Sequence, residues 1–188
     1  KASLVSGSLL IDITGGFGVD TFAFSKQIKQ VIHCELNTDL SSIVQHNYRQ
    51  FGVKNIGTIA ADGIEYLKNS PQTYDCIYID PSRRDDQKGK VFLLKDCLPN
   101  VPEHLDFLFS KSKTILIKNS PILDISNTIK ELQFVKEIHV IAVDNEVKEL
   151  LFLLEKGYEN SIEIKTIKFQ KGAQQKFQFE YQKEAISK

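Results

Sequence analysis

The chain has 188 residues, and its mass of 21.4 kDa is that of one compact domain. Hydrophobic residues make up 41% and charged residues 26%, which is ordinary globular usage and argues against a disordered or fibrous chain. The 24 basic and 24 acidic residues cancel, which excludes a strongly basic nucleic-acid module. The apolar runs are too short to cross a bilayer, so we expect no membrane partner.

Cysteine and histidine usage predicts neither disulfides nor a metal centre. Cys34, Cys76 and Cys97 are widely spaced and form no C-x-x-C pair, which argues against a disulfide framework and structural zinc. The four histidines are scattered along the sequence. We therefore expect a cytoplasmic protein without a metal. Methionine is absent even at position 1, so we also expect the sequence to be part of a longer protein.

Apolar strands alternate with amphipathic helices along the first three quarters of the chain. Strands are predicted, in chain order, at 8–13, 31–35, 56–61, 74–79, 114–118 and 139–143. Helices are predicted at 19–28, 40–51 (capped by 37–39), 63–68, 102–110 and 125–132. This alternation predicts right-handed βαβ units, and hence an α/β fold with a doubly wound, mostly parallel sheet and helices on both faces.

The C-terminal quarter has the composition of strands. Segments 149–154, 162–169 and 177–181 carry β-type residues between turn-like sequences, and predict an antiparallel, hairpin-type addition at the edge of the sheet. Residues 148–154 are equally compatible with a helix, because periodicity does not decide so short a segment. Ligands of such a sheet bind at the carboxyl ends of its strands, near the switch in strand order.

The loop that follows the first strand, residues 12–20, is rich in glycine. Such a loop lets the backbone and the helix N-terminus approach an anionic group of a ligand. A P-loop would need Gly-Lys-Ser/Thr at the helix start, but residues 19–21 are Val-Asp-Thr. A dinucleotide fingerprint matches Gly16 and Gly18 but has Thr21 in place of its third glycine. A tight turn that requires small residues is a further interpretation.

Acidic residues follow the next two strands. Glu35 closes the second strand, where a carboxylate can accept hydrogen bonds from both ribose hydroxyls of a nucleoside. Asp62 and Gly63 follow the third strand, and Asp62 is also a good cap for the helix over 63–68. Judged alone, each acid has an ordinary structural interpretation. Their shared position at the carboxyl ends of the strands favours a bound nucleoside.

Together with Asp80-Pro81 after the fourth strand, these residues resemble the class I S-adenosylmethionine-dependent methyltransferases, which have a Rossmann-like fold. The resemblance covers residues from about 8 to 121. It implies that the methionine part of S-adenosylmethionine is held by Asp12, Thr14, Gly16 and Gly18. It further implies that the ribose is held by Glu35, and the adenine by Asp62 and the Gly63 backbone.

The segment after the fourth strand reads Asp80-Pro81-Ser82-Arg83-Arg84. It resembles the Asp-Pro-Pro-aromatic motif of amino-group methyltransferases, which implies that Asp80 and the Pro81 carbonyl are catalytic and accept hydrogen bonds from the target amine. Ser82 and Arg83 replace the second proline and the aromatic residue, so base stacking falls to another group, Arg83 itself being one candidate. Arg83 and Arg84 are also candidates for phosphate binding, and the alternative is a solvated charged loop.

Residues after the fifth strand complete the candidate site. Asn119 is a predicted substrate-binding residue, together with Ser82, Arg83 and Arg84. Lys118 and Glu146 are weaker candidates, since ordinary polar residues often end strands. An Asp-Pro-Pro-Arg motif also occurs in uracil-C5 methyltransferases, but those need a nucleophilic cysteine after this strand and residues 118–121 contain none. We therefore predict transfer to a nitrogen.

More narrowly, the sequence resembles a bacterial group of RNA methyltransferases that often carry a THUMP-like RNA-binding region, and more distantly the RNA cap guanine-N2 methyltransferases. The resemblance implies that residues 1–188 are a catalytic domain. This domain would methylate a base nitrogen in RNA by in-line transfer from S-adenosylmethionine. An RNA-binding domain outside this sequence would help it to bind the RNA. The alternatives are a methyltransferase of small molecules or proteins, and a catalytically silent nucleoside-binding scaffold. An NAD-dependent oxidoreductase is least favoured, because of Thr21.

Overall fold

The structure, a computed structural model, describes residues 1–83, 93–170 and 172–181. The strands are β1 (Leu9–Asp12), β2 (Gln30–Glu35), β3 (Ile56–Ala60), β4 (Cys76–Ile79), β5 (Ser82–Arg83), β6 (Cys97–Leu98), β7 (Thr114–Asn119), β8 (Val135–Val143), β9 (Glu146–Glu155), β10 (Glu163–Gln170) and β11 (Ala173–Glu180). The helices are α1 (Val19–Ser25), α2 (Thr38–Gln50), α3 (Gly63–Asn69), α4 (Val101–Lys111) and α5 (Ile125–Glu131). Each predicted element is present, with ends shifted by a few residues.

Nine strands form one sheet in the order β11-β10-β8-β9-β7-β4-β1-β2-β3, while β5 and β6 pair separately. The strands β3, β2, β1, β4 and β7 run parallel. The chain moves from β1 to one side through β2 and β3, then returns to the other side through β4 and β7, so the switch in strand order falls between β1 and β4. The predicted doubly wound sheet is confirmed.

The C-terminal strands add an antiparallel part to this sheet, but not wholly at its edge. Strand β9 runs antiparallel between β7 and β8, inside the sheet. The hairpin of β10 and β11 forms the edge, as predicted. The continuous apolar run Leu150–Leu154 explains the inner position of β9, because a strand with neighbours on both sides and both faces covered buries every side chain. The helical alternative for 148–154 is wrong.

Helices cover both faces of the sheet. On one face α3, α4 and α5 pack against β1, β4 and β7, through residues such as Leu67, Leu108 and Ile129. On the other face the α1 residue Phe24 packs edge-on against Tyr78 of β4, with ring centroids 4.9 Å apart, and α2 lies against β2 and β3. The strands at the switch point are therefore rigidly held, and their carboxyl ends present fixed positions to a ligand.

Polar side chains determine where four of the helices begin. The side chains of Asn37, Asp62, Asn100 and Asp124 each accept a hydrogen bond from the backbone N–H three residues later. The caps predicted at Asn37 and Asp62 are thereby confirmed. Within the described ranges, no helix combines the length and the apolar character that a membrane span requires.

Candidate functional site

The carboxyl ends of β1 to β4 surround a cavity of about 490 Å³. Its wall contains residues from each of the predicted motifs, namely Thr14, Gly16, Glu35, Asp62, Gly63, Asp80 and Ser82. Apolar groups complete the wall, namely Ile13, Cys34, Leu36, Ile64, Leu98 and Pro99. One crevice at the switch point therefore joins the acids at the carboxyl ends of β2, β3 and β4, and its volume is in the usual range for small-molecule sites.

Asp12 lies beneath the glycine loop and not in the cavity wall. Its side chain is 1% exposed, and its two carboxylate oxygens accept hydrogen bonds from the Thr14 N–H at 3.0 Å and the Thr21 hydroxyl at 2.6 Å. Burial raises the pKa of Asp12 from 3.8 to about 7, although these hydrogen bonds oppose the shift. Asp12 thus shapes the loop from below, and direct contact with a cofactor stays a prediction.

The glycines of the loop are required for two different reasons. Gly16 has a φ of 51°, and an added Cβ would meet only the Thr14 carbonyl, at 3.9 Å, so its Cα side stays open while its N–H donates to Glu35. Gly18 has a φ of 75°, and an added Cβ would lie 2.1 Å from the Tyr48 hydroxyl, which donates to the Gly18 carbonyl at 2.9 Å. Gly16 therefore gives access for a ligand, whereas Gly18 gives close packing of the loop against α2.

Glu35 connects the end of β2 to the glycine loop. Its two carboxylate oxygens accept from the Gly16 N–H at 2.8 Å and the Asn37 N–H at 2.7 Å. These bonds hold the carboxylate at the cavity wall and leave lone pairs for further donors. The next residue, Leu36, is 70% exposed and lines the same cavity, which provides an apolar surface beside a polar anchor.

Asp62 and Gly63 form the start of α3 at the far side of the cavity. One Asp62 oxygen accepts from the Glu65 N–H at 3.0 Å, which confirms the capping role proposed from the sequence. A Cβ on Gly63 would lie 2.4 Å from both the Cβ and the carbonyl oxygen of Ile13. Only glycine lets α3 begin directly against the end of β1, so the Asp62 side chain reaches the cavity that begins there.

Asp80 forms the opposite side of the cavity, and two elements hold it. Its N–H donates to the Thr14 hydroxyl at 2.7 Å, so the acid that follows β4 is bound to the glycine loop. The Lys118 ammonium, at the end of β7, donates to Asp80 Oδ2. Glu146, the other weak candidate, instead pairs with Lys148 at 2.6 Å and is mostly exposed.

The predicted site residues that follow Asp80 differ in whether they line the cavity. Pro81 is half-buried, and Ser82 is exposed and lines the cavity. The backbone of Ser82 and Arg83 pairs with Leu98 and Cys97, which brings Leu98 and Pro99 to the cavity. Arg84 lies outside the described residues. Sequence reasoning missed the contribution of Leu98 and Pro99, because it arises from a pairing between distant segments.

Asn119 is a buried amide without a partner. It is 2% exposed, and neither its Oδ1 nor its Nδ2 has a hydrogen-bond partner in the described part of the chain. An unpaired buried amide costs about 1–3 kcal/mol, so polar residues persist at such positions when a ligand or partner satisfies them. Asn119 ends β7 and is not among the residues that line the cavity, so its contact with a substrate stays a prediction.

Three residues that support the site were not identified from the sequence. Thr21 was noted only for departing from a dinucleotide fingerprint, yet its hydroxyl is the donor that holds Asp12. His33 is fully buried directly beneath Gly15, and burial lowers its pKa. Tyr48 reaches the loop from α2. Of the three, only Thr21 had a local signal in the sequence, because it is a small polar residue one turn after the glycine loop.

The histidines, cysteines and acids of the described residues form no candidate metal-binding group, and the three cysteines are buried. Among residues 1–83, 93–170 and 172–181, no group of three or more His, Cys, Asp or Glu side chains is placed to hold a metal ion. Burial raises the pKa values of Cys34 and Cys76 to about 12, so both thiols stay protonated at neutral pH. Both side chains lie in the hydrophobic core.

A second cavity, of about 670 Å³, lies at the opposite, amino end of the strands and contains three lysines. The ammonium groups of Lys111 and Lys156 donate to the Ser70 carbonyl at 2.6 Å and the Phe109 carbonyl at 3.0 Å. These carbonyls lie at the ends of α3 and α4, where a cation is favourable in any helix. Lys111 and Lys156 therefore have a structural role, and we assign this cavity no ligand.

Comparison with known proteins places the chain in a family. Residues 7–162 match the family of RNA cap guanine-N2 methyltransferases, so the chain belongs to that family. An uncharacterized RNA methyltransferase from Mycoplasma mobile is 27% identical over 90 residues, which are 48% of this chain and 25% of that protein. The prediction of an S-adenosylmethionine-dependent methyltransferase, with S-adenosylmethionine as its cofactor, is confirmed at the level of the family.

Solved structures agree with this assignment. A candidate methyltransferase from Porphyromonas gingivalis W83 superposes with a TM-score of 0.81 at 30% identity, over 95% of this chain and 45% of that protein. TrmK from M. capricolum, solved with S-adenosylhomocysteine, has a TM-score of 0.56 at 17% identity, over 85% of this chain and 67% of that one, and shares the fold. The chain thus spans less than half of the P. gingivalis protein.

Proposed function

We propose that the chain is the catalytic domain of a methyltransferase that transfers a methyl group from S-adenosylmethionine to a nitrogen of an RNA base. The observation that carries this proposal is the single crevice at the switch point, which joins Glu35, Asp62 and Asp80. Glu35 and Asp62 suit a nucleoside, and Asp80 lies across the cavity, where its N–H donates to Thr14 of the glycine loop. The geometry therefore supports a cofactor site and an acceptor site side by side.

The residues present fit S-adenosylmethionine. Glu35 offers lone pairs to the ribose hydroxyls, and Asp62 suits an exocyclic amine, beside the apolar Leu36 and Ile64. Gly16 has no side chain, and the open space beside its Cα gives a ligand group access to the loop. When bound, this cofactor supplies a methyl group that is already activated on a sulfonium. The protein's remaining task is therefore alignment of donor and acceptor.

Asp80 would align the acceptor. Because Lys118 occupies Oδ2, the other oxygen, Oδ1, is available to accept a hydrogen bond from a target amine. The Pro81 carbonyl is a second acceptor, and two acceptors fix the direction of the nitrogen lone pair. As the new N–C bond forms, positive charge develops on the nitrogen, and an ionised carboxylate stabilises it and can receive the proton released.

RNA is the acceptor favoured by the relatives. The family is described by a guanine-N2 target in RNA, and the Mycoplasma mobile relative is an RNA methyltransferase. The chain has no net charge, so we infer that RNA affinity resides in the further sequence that longer relatives have, a THUMP-like region being our candidate. Ser82, Asn119 and the two arginines, Arg83 and Arg84, would contact the substrate. A cytoplasmic location remains our prediction.

A pair of variants tests the two halves of the site separately. Asp80→Ala is expected to lower transfer of a labelled methyl group about 10²–10³-fold, with the dissociation constant of S-adenosylhomocysteine within about twofold. Glu35→Gln is expected to weaken S-adenosylhomocysteine about tenfold, because the carboxylate that faces the ribose becomes a neutral amide. The measurements are calorimetric titration and incorporation into RNA from a strain that lacks the gene.

The outcomes distinguish the alternatives. Unchanged turnover in Asp80→Ala would remove Asp80 from the mechanism. Binding of S-adenosylhomocysteine without transfer to RNA, protein or small molecules would favour the silent scaffold, and transfer to protein alone would overturn the RNA proposal. Failure of the ligand to bind or to raise the melting temperature of the folded chain would count against any methyltransferase function.

A further inference from the structure

A row of alternating charges crosses the carboxyl ends of the strands behind the acceptor side of the cavity. Glu149 of β9 accepts from the Lys1 ammonium at 2.8 Å, and Lys1 also contacts Asp20 of α1 at 2.8 Å. The Lys118 ammonium lies between Asp20, at 4.0 Å, and Asp80, to which it donates. The row thus connects α1, β9, β7 and the end of β4.

Asp20 is the centre of this row. Tyr78 of β4 donates its hydroxyl to Asp20 Oδ2 at 2.6 Å. Burial alone would raise the pKa of Asp20, but the hydrogen bonds from Lys1 and Tyr78 outweigh it and hold the pKa below its usual value. Asp20 is therefore an ionised carboxylate at neutral pH, and the side chains of Asp20 and Lys118 are only 18% and 26% exposed.

Three carboxylates meet at this end of the sheet, and Lys118 is the cation between two of them. Both Asp20 and Asp80 act on Asp12 as repelling charges. Without Lys118, Asp20 would keep its ion pair with Lys1, but Asp80 would lose its cation, and no positive charge would lie between the two carboxylates. Asp80 would then be expected to turn toward solvent, away from the cavity. Lys118 prevents this by taking Oδ2 and leaving Oδ1 free.

We propose that Lys118 is a positioning residue for methyl transfer, because it bridges Asp20 and Asp80 and so holds the Asp80 carboxylate toward the acceptor. This inference rests on the function proposed above. It gives the weak sequence candidate Lys118 a defined role, acting through Asp80 and not on the cofactor. It also assigns Asp20, in the first turn after the glycine loop, the role of anchoring Lys118.

A double-mutant cycle tests the coupling. Lys118→Met is expected to lower kcat about 10–100-fold, with the dissociation constant of S-adenosylhomocysteine within about twofold, while Lys118→Arg restores most of the rate. In the Asp80→Asn background, Lys118→Met should change kcat less than about threefold, because a neutral amide needs no cation to hold it. The matched control is Lys136→Met, which removes a lysine paired with Glu155 at 2.5 Å, away from the cavity.

A readout independent of activity keeps this inference separate from the proposed function. In a crystal structure of Lys118→Met with S-adenosylhomocysteine, we expect the Asp80 carboxylate to leave the cavity wall. An Asp80 side chain that stays in place, or a loss of kcat that is equal with and without the Asp80→Asn substitution, would overturn the role of Lys118. A wild-type protein that binds S-adenosylhomocysteine but transfers no methyl group would instead overturn the proposed function, whatever Asp80 does in the variant.

Discussion

The side of the cavity that we propose for the cofactor and the side that we propose for the acceptor are built differently. On the cofactor side, Asp12 and Glu35 have partners on both carboxylate oxygens, and most of these donors are backbone N–H groups. On the acceptor side, the carboxylate of Asp80 is held by one long side chain, from Lys118, and the amide of Asn119 has no partner among the described residues. The first side is thus held mainly by backbone donors, whereas the second depends on a single charged side chain.

This difference indicates which part of the site is preorganised. Backbone donors on a packed loop cannot rotate away, so the cofactor side retains its geometry through a catalytic cycle. A lysine side chain and an unpaired amide can adjust to a substrate at a small conformational cost. In this arrangement rigid backbone groups would bind the cofactor, which is the same in every cycle, and side chains would bind the substrate. Breaking the packing should therefore damage the first side, and changing polarity should affect the second.

The largest effect is expected from Gly18→Ala, which breaks the cofactor side. The added Cβ would lie 2.1 Å from the Tyr48 hydroxyl and 2.7 Å from Val44, at a φ of 75°. Strain and overpacking together should lower the free energy of unfolding by about 2–4 kcal/mol and displace the loop, which abolishes S-adenosylhomocysteine binding. Urea denaturation and calorimetric titration measure the two losses.

Gly52→Ala is the matched control for this loop variant. Gly52 also has a positive φ, of 68°, but no atom lies within 4 Å of an added Cβ. It should therefore cost only the strain of the left-handed conformation, about 1–2 kcal/mol, and leave binding unchanged. Equal losses of stability in the two variants would show that packing of Gly18 against Tyr48 does not hold the loop.

The next effect sharpens the description of the acceptor side. Asn119→Leu removes an amide that has no partner among the described residues. The variant should therefore have a free energy of unfolding about 1–2 kcal/mol higher than the wild type. Its rate of methyl transfer should nevertheless be lower, by about tenfold or more. In Asn55→Leu the same substitution should destabilise instead, because the Asn55 amide donates to the Ser25 and Ile28 carbonyls at 2.8 and 3.0 Å. Thermal melts and transfer assays compare the variants, and a less stable Asn119→Leu protein would contradict an unpaired amide.

Measured per pH unit, the smallest effect is a change in the pH dependence of stability. Because the pKa of Asp12 is raised from 3.8 to about 7 in the folded state, the folded state binds a proton more tightly than the unfolded one. Stability from this group is therefore greatest in acid and falls by at most about 1.4 kcal/mol per unit between roughly pH 4 and 7. In Asp12→Asn this fall should disappear. Parallel stability curves for the two proteins in urea denaturation at several pH values would contradict a buried, proton-binding Asp12.

The sequence by itself determined the order of elements and the positions of the ligand-facing acids. Alternating apolar and amphipathic segments specify βαβ units, and the carboxyl end of a parallel strand lies next to the residue that follows it in the chain. For this reason local pattern placed Glu35 and Asp62 at one site, and the resemblance to methyltransferases added Asp80; all three line one cavity. The glycines at 16 and 18 were found because a tight turn restricts the residues that can form it.

Only the tertiary structure decided which side chains hold these residues in place. The partners of Gly18 and Asp80 are Tyr48 and Lys118, 30 and 38 residues away in the chain, and no local pattern records a contact over that separation. The insertion of β9 between β7 and β8 was likewise invisible, because strand pairing depends on the neighbours a strand finds in space. Local sequence thus specified where the functional groups are, and long-range packing specified their orientation and charge partners.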